Sequence, residues 1–196
     1  MSVKYRYGKP IPERLLQLEK PGESLLFDAD RGLVTDVTAA CDIKGFVGGL
    51  KGKGEKEAEG AFAAFGRKVM ETTIRLADDK YMDRTGEMIE KVYQDTGISF
   101  PHRFQRYAEL SIIGSRPFDR WNITKATTKE LRLQVFGCAV QRELKEAGIE
   151  YQGLPCRELC LAAFQAAAEK TGDGLRMELA KNLPQDGVCE FAFFCE

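Results

Sequence analysis

An α+β fold, with a helical N-terminal part packed on a C-terminal antiparallel sheet, is what this sequence predicts, and three observations carry the prediction. From Glu55 onward, apolar residues recur at helical spacing. Residues 130–141, "ELRLQVFGCAVQ", instead alternate with period two. The last run, "GLRMELAKNLPQDGVCEFAFFCE", is two apolar segments about a Pro-Gln-Asp-Gly turn, which marks a hairpin. A chain of 196 residues suffices for a single domain with a good core. By pattern it divides into an N-terminal extension and Gly-rich connector (1–54), a helical part (55–125) and an α+β part carrying a cysteine cluster (126–196).

In chain order, Ile11 to Leu18 reads as a short helix with Pro12 in its first turn, where proline is tolerated. "PGESLLFDADRG" follows as a brief apolar run between turn residues. "GFVGGLKGKGEKEAEG" reads as a flexible connector rather than a phosphate loop. Gly52-Lys53 has no glycine five places earlier and is followed by Gly54 instead of Ser or Thr. Phe62, Phe65, Val69, Met70, Thr73, Ile74 and Ala77 then form one stripe of an amphipathic helix. A second helix is expected from Tyr81 to Tyr93, and a third from the N-cap Ser99 to Gly114, with Pro101 in its first turn. In the α+β part the expected order is strand–helix–strand–strand. Leu131, Leu133 and Val135 take one face of the first strand, and Phe136, Cys138 and Val140 the other. "ELCLAAFQAAAEK" is alanine-rich and helical, and Cys189, Phe191, Phe193 and Cys195 share a face of the final strand.

Composition excludes several classes of partner. With 29 basic and 30 acidic side chains the formal charge is −1, so no overall field attracts nucleic acid or an anionic membrane. The basic stretch from Arg103 to Arg132 is interrupted by Glu109, Asp119 and Glu130 and reads as a solvated surface. No run approaches a membrane span, and "MSVKYRYGKP" has no apolar segment of signal-peptide length. A cytoplasmic protein is expected, and with it six cysteines kept as thiols.

Those cysteines carry the functional question. In "GLPCRELC" Cys156 and Cys160 stand one helical turn apart, about 5–6 Å between Cβ atoms, too far for the roughly 3.5–4.5 Å of a disulfide. If the alanine-rich helix crosses the sheet, Cys138, Cys156, Cys160 and Cys189 converge from three elements. Four convergent thiols admit three readings: small hydrophobes in a core, ligands of zinc or an iron–sulfur cluster, or a reactive thiol in a ligand site. The spacing C-x3-C is not specific for metal, and position 163 is Ala where a radical-type cluster motif needs a further cysteine. For reactivity, Cys156 lies at a helix start, where unpaired N–H groups stabilise a thiolate, and Arg157 adds positive charge. Cys156 and Cys160 are therefore the catalytic candidates, and all four cysteines the metal candidates. The only histidine, His102, opens a different helix, which leaves Glu158 and Glu190 as the nearer bases. Trp121, the only tryptophan, falls between the helical and sheet parts, where it either anchors packing or lines a pocket, and Arg120 and Arg116 nearby are suited to a carboxylate.

A strand ending in Cys138, then "GLPCRELCLAAF", a Gly-rich turn and a closing "QDGVCEFAFF" together resemble the L-2-amino-thiazoline-4-carboxylic acid hydrolase-like family. More distantly the pattern is similar to the 4-vinyl reductase-type small-molecule-binding domains. The likeness covers roughly residues 55–196 and is best over the last seventy. The hydrolase resemblance implies hydrolytic opening of a thiazoline-type ring, classed with cleavage of non-peptide C–N bonds, and carries over Cys156, Cys160 and Cys189 without assigning their roles. The rival reading is a non-catalytic module that binds or senses a small, mostly apolar ligand, with zinc on the same thiols. Either way the expected partner is a small molecule, and a homo-oligomer is left open.

Overall fold

The computed structural model describes residues 31–76, 120–126, 130–171 and 175–195. The helices expected at Ile11 to Leu18, Tyr81 to Tyr93 and from Ser99 lie outside the described residues. What is described is a mixed α+β architecture, helices first and a four-stranded antiparallel sheet last.

Three helices open it: α1 (Arg31–Ala40), α2 (Ile43–Gly48) and α3 (Glu55–Arg75). The connector expected to be flexible is helical over α2. Two local causes override its glycines. Asp42 accepts a hydrogen bond from the Gly45 backbone N–H at 3.0 Å, an N-cap, and Val47 and Leu50 are buried in the core. Phe46 stacks on Phe65 of α3 at 4.1 Å between ring centres and meets Phe62 edge-on at 5.2 Å. Helix α3 follows its predicted stripe: Phe62, Val69, Met70, Thr73 and Ile74 are buried and Phe65 partly so. Glu55 and Glu57 sit at its positive end and Arg75 at its negative end.

The sheet holds β1 (Arg120–Ala126), β2 (Glu130–Gly137), β3 (Leu175–Lys181) and β4 (Cys189–Cys195) in the order β1-β2-β4-β3. β1 falls in the stretch assigned to the helical part; it pairs with β2 as a neighbouring strand. β2 and β4 form the centre, registered Leu133 to Phe191 and Val135 to Cys189, so that Leu133, Val135, Phe191 and Phe193 bury one face.

Between β2 and β3 run α4 (Ala139–Glu146) and α5 (Arg157–Thr171). The strand expected to continue to Val140 stops at Gly137, and Cys138 becomes the N-cap of α4 rather than a mid-strand residue. Ala139, Val140 and Leu144 are buried from α4, a helical spacing hidden under two residues of apparent alternation. The expected Pro-Gln-Asp-Gly turn is a single helical turn, α6 (Leu183–Asp186), capped by the Asn182 side chain and closed by Gly187 at φ 71°.

α5 is the centre of the fold. Its Phe164 meets Phe191 and Phe193 of β4 edge-on, while Gly66 of α3 lies against its Leu159 backbone. The layers are therefore sheet, α5, α3. A helix covered on both sides has no wide polar face, which is why Leu159, Cys160, Ala163, Phe164, Ala166, Ala167 and Ala168 are all buried. Arg67 joins the two helices at their exposed edge by a two-bond pair with Glu169, at 2.9 and 3.0 Å.

Candidate functional site

Laying α5 over the sheet brings the predicted cysteines together. Cys138 lies between β2 and α4, Cys156 immediately precedes α5, Cys160 lies one turn in, and Cys189 opens β4 on the face shared with Phe191. All four line one small cavity, otherwise walled mainly by apolar side chains such as Val135, Val140, Leu159 and Phe191. It has room for about one water molecule, roughly 20 Å³. Two of the sulfurs accept hydrogen bonds, Cys156 from Gln141 Nε2 at 2.9 Å and Cys189 from the Leu183 backbone N–H at 3.2 Å. Cys160 is the most buried of the four.

Sharing a cavity is less than sharing a metal. Among the described residues, no three Cys, His, Asp or Glu side chains are grouped so as to hold a metal ion. The donor arrangement expected for zinc or an iron–sulfur cluster is thus not formed by Cys138, Cys156, Cys160 and Cys189, which surround a space without converging on one point. Of the other two cysteines, Cys41 is buried against the helices; burial pushes its thiol up, against the opposing influence of Lys68 and Thr72. The side chain of Cys195 lies outside the described residues.

Outside the cysteine chamber is a wider, open cleft of about 820 Å³. Its walls are α4, the loop 147–156, the first turns of α5, the end of β3 and α6. Gln141, Leu154, Cys156, Arg157 and Leu179 line both spaces, so Cys156 stands at the neck between them. The outer walls are polar, with Lys145, Glu150, Glu158 and Lys181, whereas the inner ones are mainly apolar side chains and sulfur, with Gln141 and Arg157 at the shared boundary. Tyr151 also lines the cleft; its hydroxyl is buried with no hydrogen-bond partner among the described residues, and burial pushes its pKa up. Gln141 and Tyr151 carried no signal in the sequence, because an isolated glutamine or tyrosine belongs to no motif and acquires meaning only from what it faces.

The candidate bases divide. Glu158 is in the cleft, held by Arg157 at 2.8 Å. Glu190 is not: strand alternation puts Phe191 and Phe193 on the α5 face and Glu190 on the other. There it is buried and bonded to Arg132 at 3.0 Å and to the Gln134 amide, with Lys181 at 3.8 Å. Arg132 also binds Glu130, which pairs with Lys125. Glu190 is thus a structural carboxylate. Burial pushes its pKa up, but the bonds from Gln134 and Arg132 and the charges of Lys181 and Arg132 outweigh it and hold the group below the ordinary range. A carboxylate depressed in the folded state stabilises only while ionised. Its contribution is complete above the unfolded value of about 4.3 and is lost as pH falls through the lower folded value. Thermal unfolding followed from about pH 5 down to pH 3 is therefore expected to show a falling midpoint, and Glu190→Gln to flatten that fall. An unchanged slope in the variant would assign the acid sensitivity to other carboxylates.

Arg120 and Trp121 belong by backbone to β1, at the sheet edge opposite β3, paired with Gly137 and Val135; their side chains lie outside the described residues. So do His102 and Arg116. Among the described residues no helix is long and apolar enough to cross a membrane.

No protein-family model matches the chain, and no curated protein matches it. Two solved structures align with it. One, from work on heme distortion in the H-NOX family, is 7% identical with a TM-score of 0.31, covering 85% of this chain and 95% of its own. The other, from work on heme redox potential and porphyrin distortion, is 9% identical with a TM-score of 0.34, covering 84% and 91%. Similarity at this level does not establish a common fold, and no ligand is transferred from it.

Proposed function

We propose that this chain binds a small organic molecule in the cleft formed by α4, α6, the end of β3 and the start of α5, with Cys156 as the side chain the ligand meets at its inner end. The observation that supports this reading is the shared wall: Cys156 lines the polar outer cleft and the apolar inner chamber at once. A polar mouth with an apolar end is the usual design of a small-molecule site, the polar groups orienting and the apolar ones holding. The buried Tyr151 hydroxyl adds an orientation group, since an unmatched buried hydroxyl costs about 1–3 kcal/mol that a ligand's polar atom relieves.

A second reading, a hydrolase acting on a thiazoline-type ring, is favoured by the Gln141–Cys156 hydrogen bond. A donor on sulfur, next to the first turn of α5, stabilises the thiolate that such chemistry uses. In that reading the Cys156 thiolate adds to the amidine-type carbon while the ring nitrogen takes a proton, and the tetrahedral adduct expels the ring sulfur as a thiolate. Water then adds to the same carbon and expels Cys156, leaving the carbamoyl product; Glu158 is the acidic group in the cleft. No role is assigned to zinc or an iron–sulfur cluster, for want of convergent donors.

One experiment separates the readings. The wild-type chain and Cys156→Ser are incubated with 2-amino-thiazoline-4-carboxylate, and both turnover and thermal stabilisation are measured. Stabilisation of both proteins without turnover supports binding alone. Turnover by the wild type, abolished in Cys156→Ser, supports the hydrolase. Protection of Cys156 from alkylation by members of a small-molecule fragment set extends the test to other ligands. If no fragment either stabilises the chain or protects Cys156, the cleft is not a ligand site. Metal analysis of anaerobically purified protein is the control: stoichiometric zinc lost in Cys156→Ser would replace both readings with a metal site.

A further inference from the structure

Where the linings of the two spaces overlap, the Gln141 amide donates a hydrogen bond to the Cys156 sulfur, and this bears on what the site admits. Gln141 projects from the first turn of α4, and Cys156 from the other side, just ahead of α5. Their 2.9 Å contact, Nε2 to Sγ, lies where the two sets of lining residues overlap. Sulfur is a weak acceptor. A carbonyl-type oxygen is a better one, so a ligand carrying it can take over the Gln141 amide without leaving that donor buried and unmatched. The space behind is apolar and of roughly one water's volume, which excludes a charged or bulky group there.

We infer, on the strength of the binding reading above, that Gln141 is the gate of a two-chamber site. It holds the Cys156 sulfur across the passage until a small neutral ligand, with a carbonyl-type acceptor and an apolar tip about the size of a methyl group, displaces the bond and enters. Gln141 is in this sense a positioning residue, acting through Cys156.

Iodoacetamide carries an amide carbonyl but an iodomethylene tip larger than the inner space admits, so it meets Cys156 from the cleft and reports whether the gate holds it out. The Cys156 thiol loses its proton to solvent, the thiolate attacks the CH2 carbon, a C–S bond forms, and iodide leaves with the C–I electron pair. Alkylation is followed on the folded protein from about pH 6 to pH 10, with the labelled cysteine identified by peptide mass. Gln141→Leu keeps the bulk and removes the donor. Its expected effect is an upward shift of the pH midpoint for Cys156 and a rate at neutral pH lowered about three- to tenfold, since a lost hydrogen bond to the thiolate disfavours that form. Gln141→Ala removes the gate itself and is expected to let iodoacetamide label Cys160, which the wild type protects. A Gln141→Leu profile identical to the wild type, or a Cys160 still protected in Gln141→Ala, overturns the gate while leaving the cleft as a binding site. A wild-type Cys156 that reacts at no pH in this range overturns the gate, and the binding reading falls with it only if no fragment stabilises the chain either.

Discussion

Replacing Phe164 by Ala is expected to destabilise this protein by about 3–5 kcal/mol, the range for removing a fully buried aromatic side chain. Phe164 is 1% exposed, and its ring meets Phe193 at 4.9 Å and Phe191 at 5.4 Å, both edge-on. Three effects add. Apolar area returns to water, the surrounding rings lose dispersion contacts across the cavity left behind, and two edge-to-face pairs disappear. For a chain of this size the cost corresponds to a fall in the thermal midpoint of roughly 6–20 °C. Phe164→Leu, which leaves a smaller void, is expected to lose less. Urea and thermal unfolding monitored by circular dichroism measure both. A loss below about 1 kcal/mol in Phe164→Ala would mean that α5 does not pack on β4 as described, because no well-packed core site yields so little on this change. The layered fold would then have to be redrawn.

Gly66→Ala is expected to be destabilising by about 1–3 kcal/mol even though it places the best helix former in the middle of a helix. A Cβ at residue 66 would overlap the Leu159 carbonyl oxygen and lie 2.7 and 2.8 Å from its carbonyl carbon and Cα. These are backbone atoms of α5, so relief requires the helix to move, not a side chain to rotate. Gly60 provides the contrast within the same helix: it is exposed, and nothing lies within 4 Å of its Cβ position. Gly60→Ala is expected to stabilise by up to about 1 kcal/mol, by removing backbone freedom from the unfolded chain. Opposite signs for one substitution at two positions of α3 would confirm that a close crossing, not helix propensity, sets the cost. Because Leu159 lies between Cys156 and Cys160, Gly66→Ala should also change the alkylation rate of Cys156 in the folded protein, whereas Gly60→Ala should not. Equal destabilisation by both would sink the close-crossing account.

Elements whose own residues encode their period were readable in advance. The α3 stripe, the alanine-rich α5, the alternating Phe191 and Phe193 of β4 and the break closed by Gly187 all follow from local pattern. Elements defined by partners were not. α2 is helical because Asp42 caps it and Phe46 finds two rings of α3, which outweighs its glycines. β1 is a strand because β2 lies beside it, and β2 ends at Gly137 because Ala139, Val140 and Leu144 are buried as a helix. Glu190 shows the same limit in chemistry. One place along from Cys189 in sequence, it occupies the opposite face of the sheet, and strand geometry alone removes it from the site.

By itself the chain determined an α+β fold and which cysteines would meet, since both follow from periodicity and from the rule that apolar faces must be covered. Tertiary structure decided what the meeting amounts to. The spacing of α5 over β2 and β4 leaves the thiols around a water-sized gap instead of on a common centre, and turns Gln141 toward Cys156 at the inner end of a cleft. Distances of that kind depend on how far apart two packed elements sit, a quantity fixed by the side chains between them and written in no single segment.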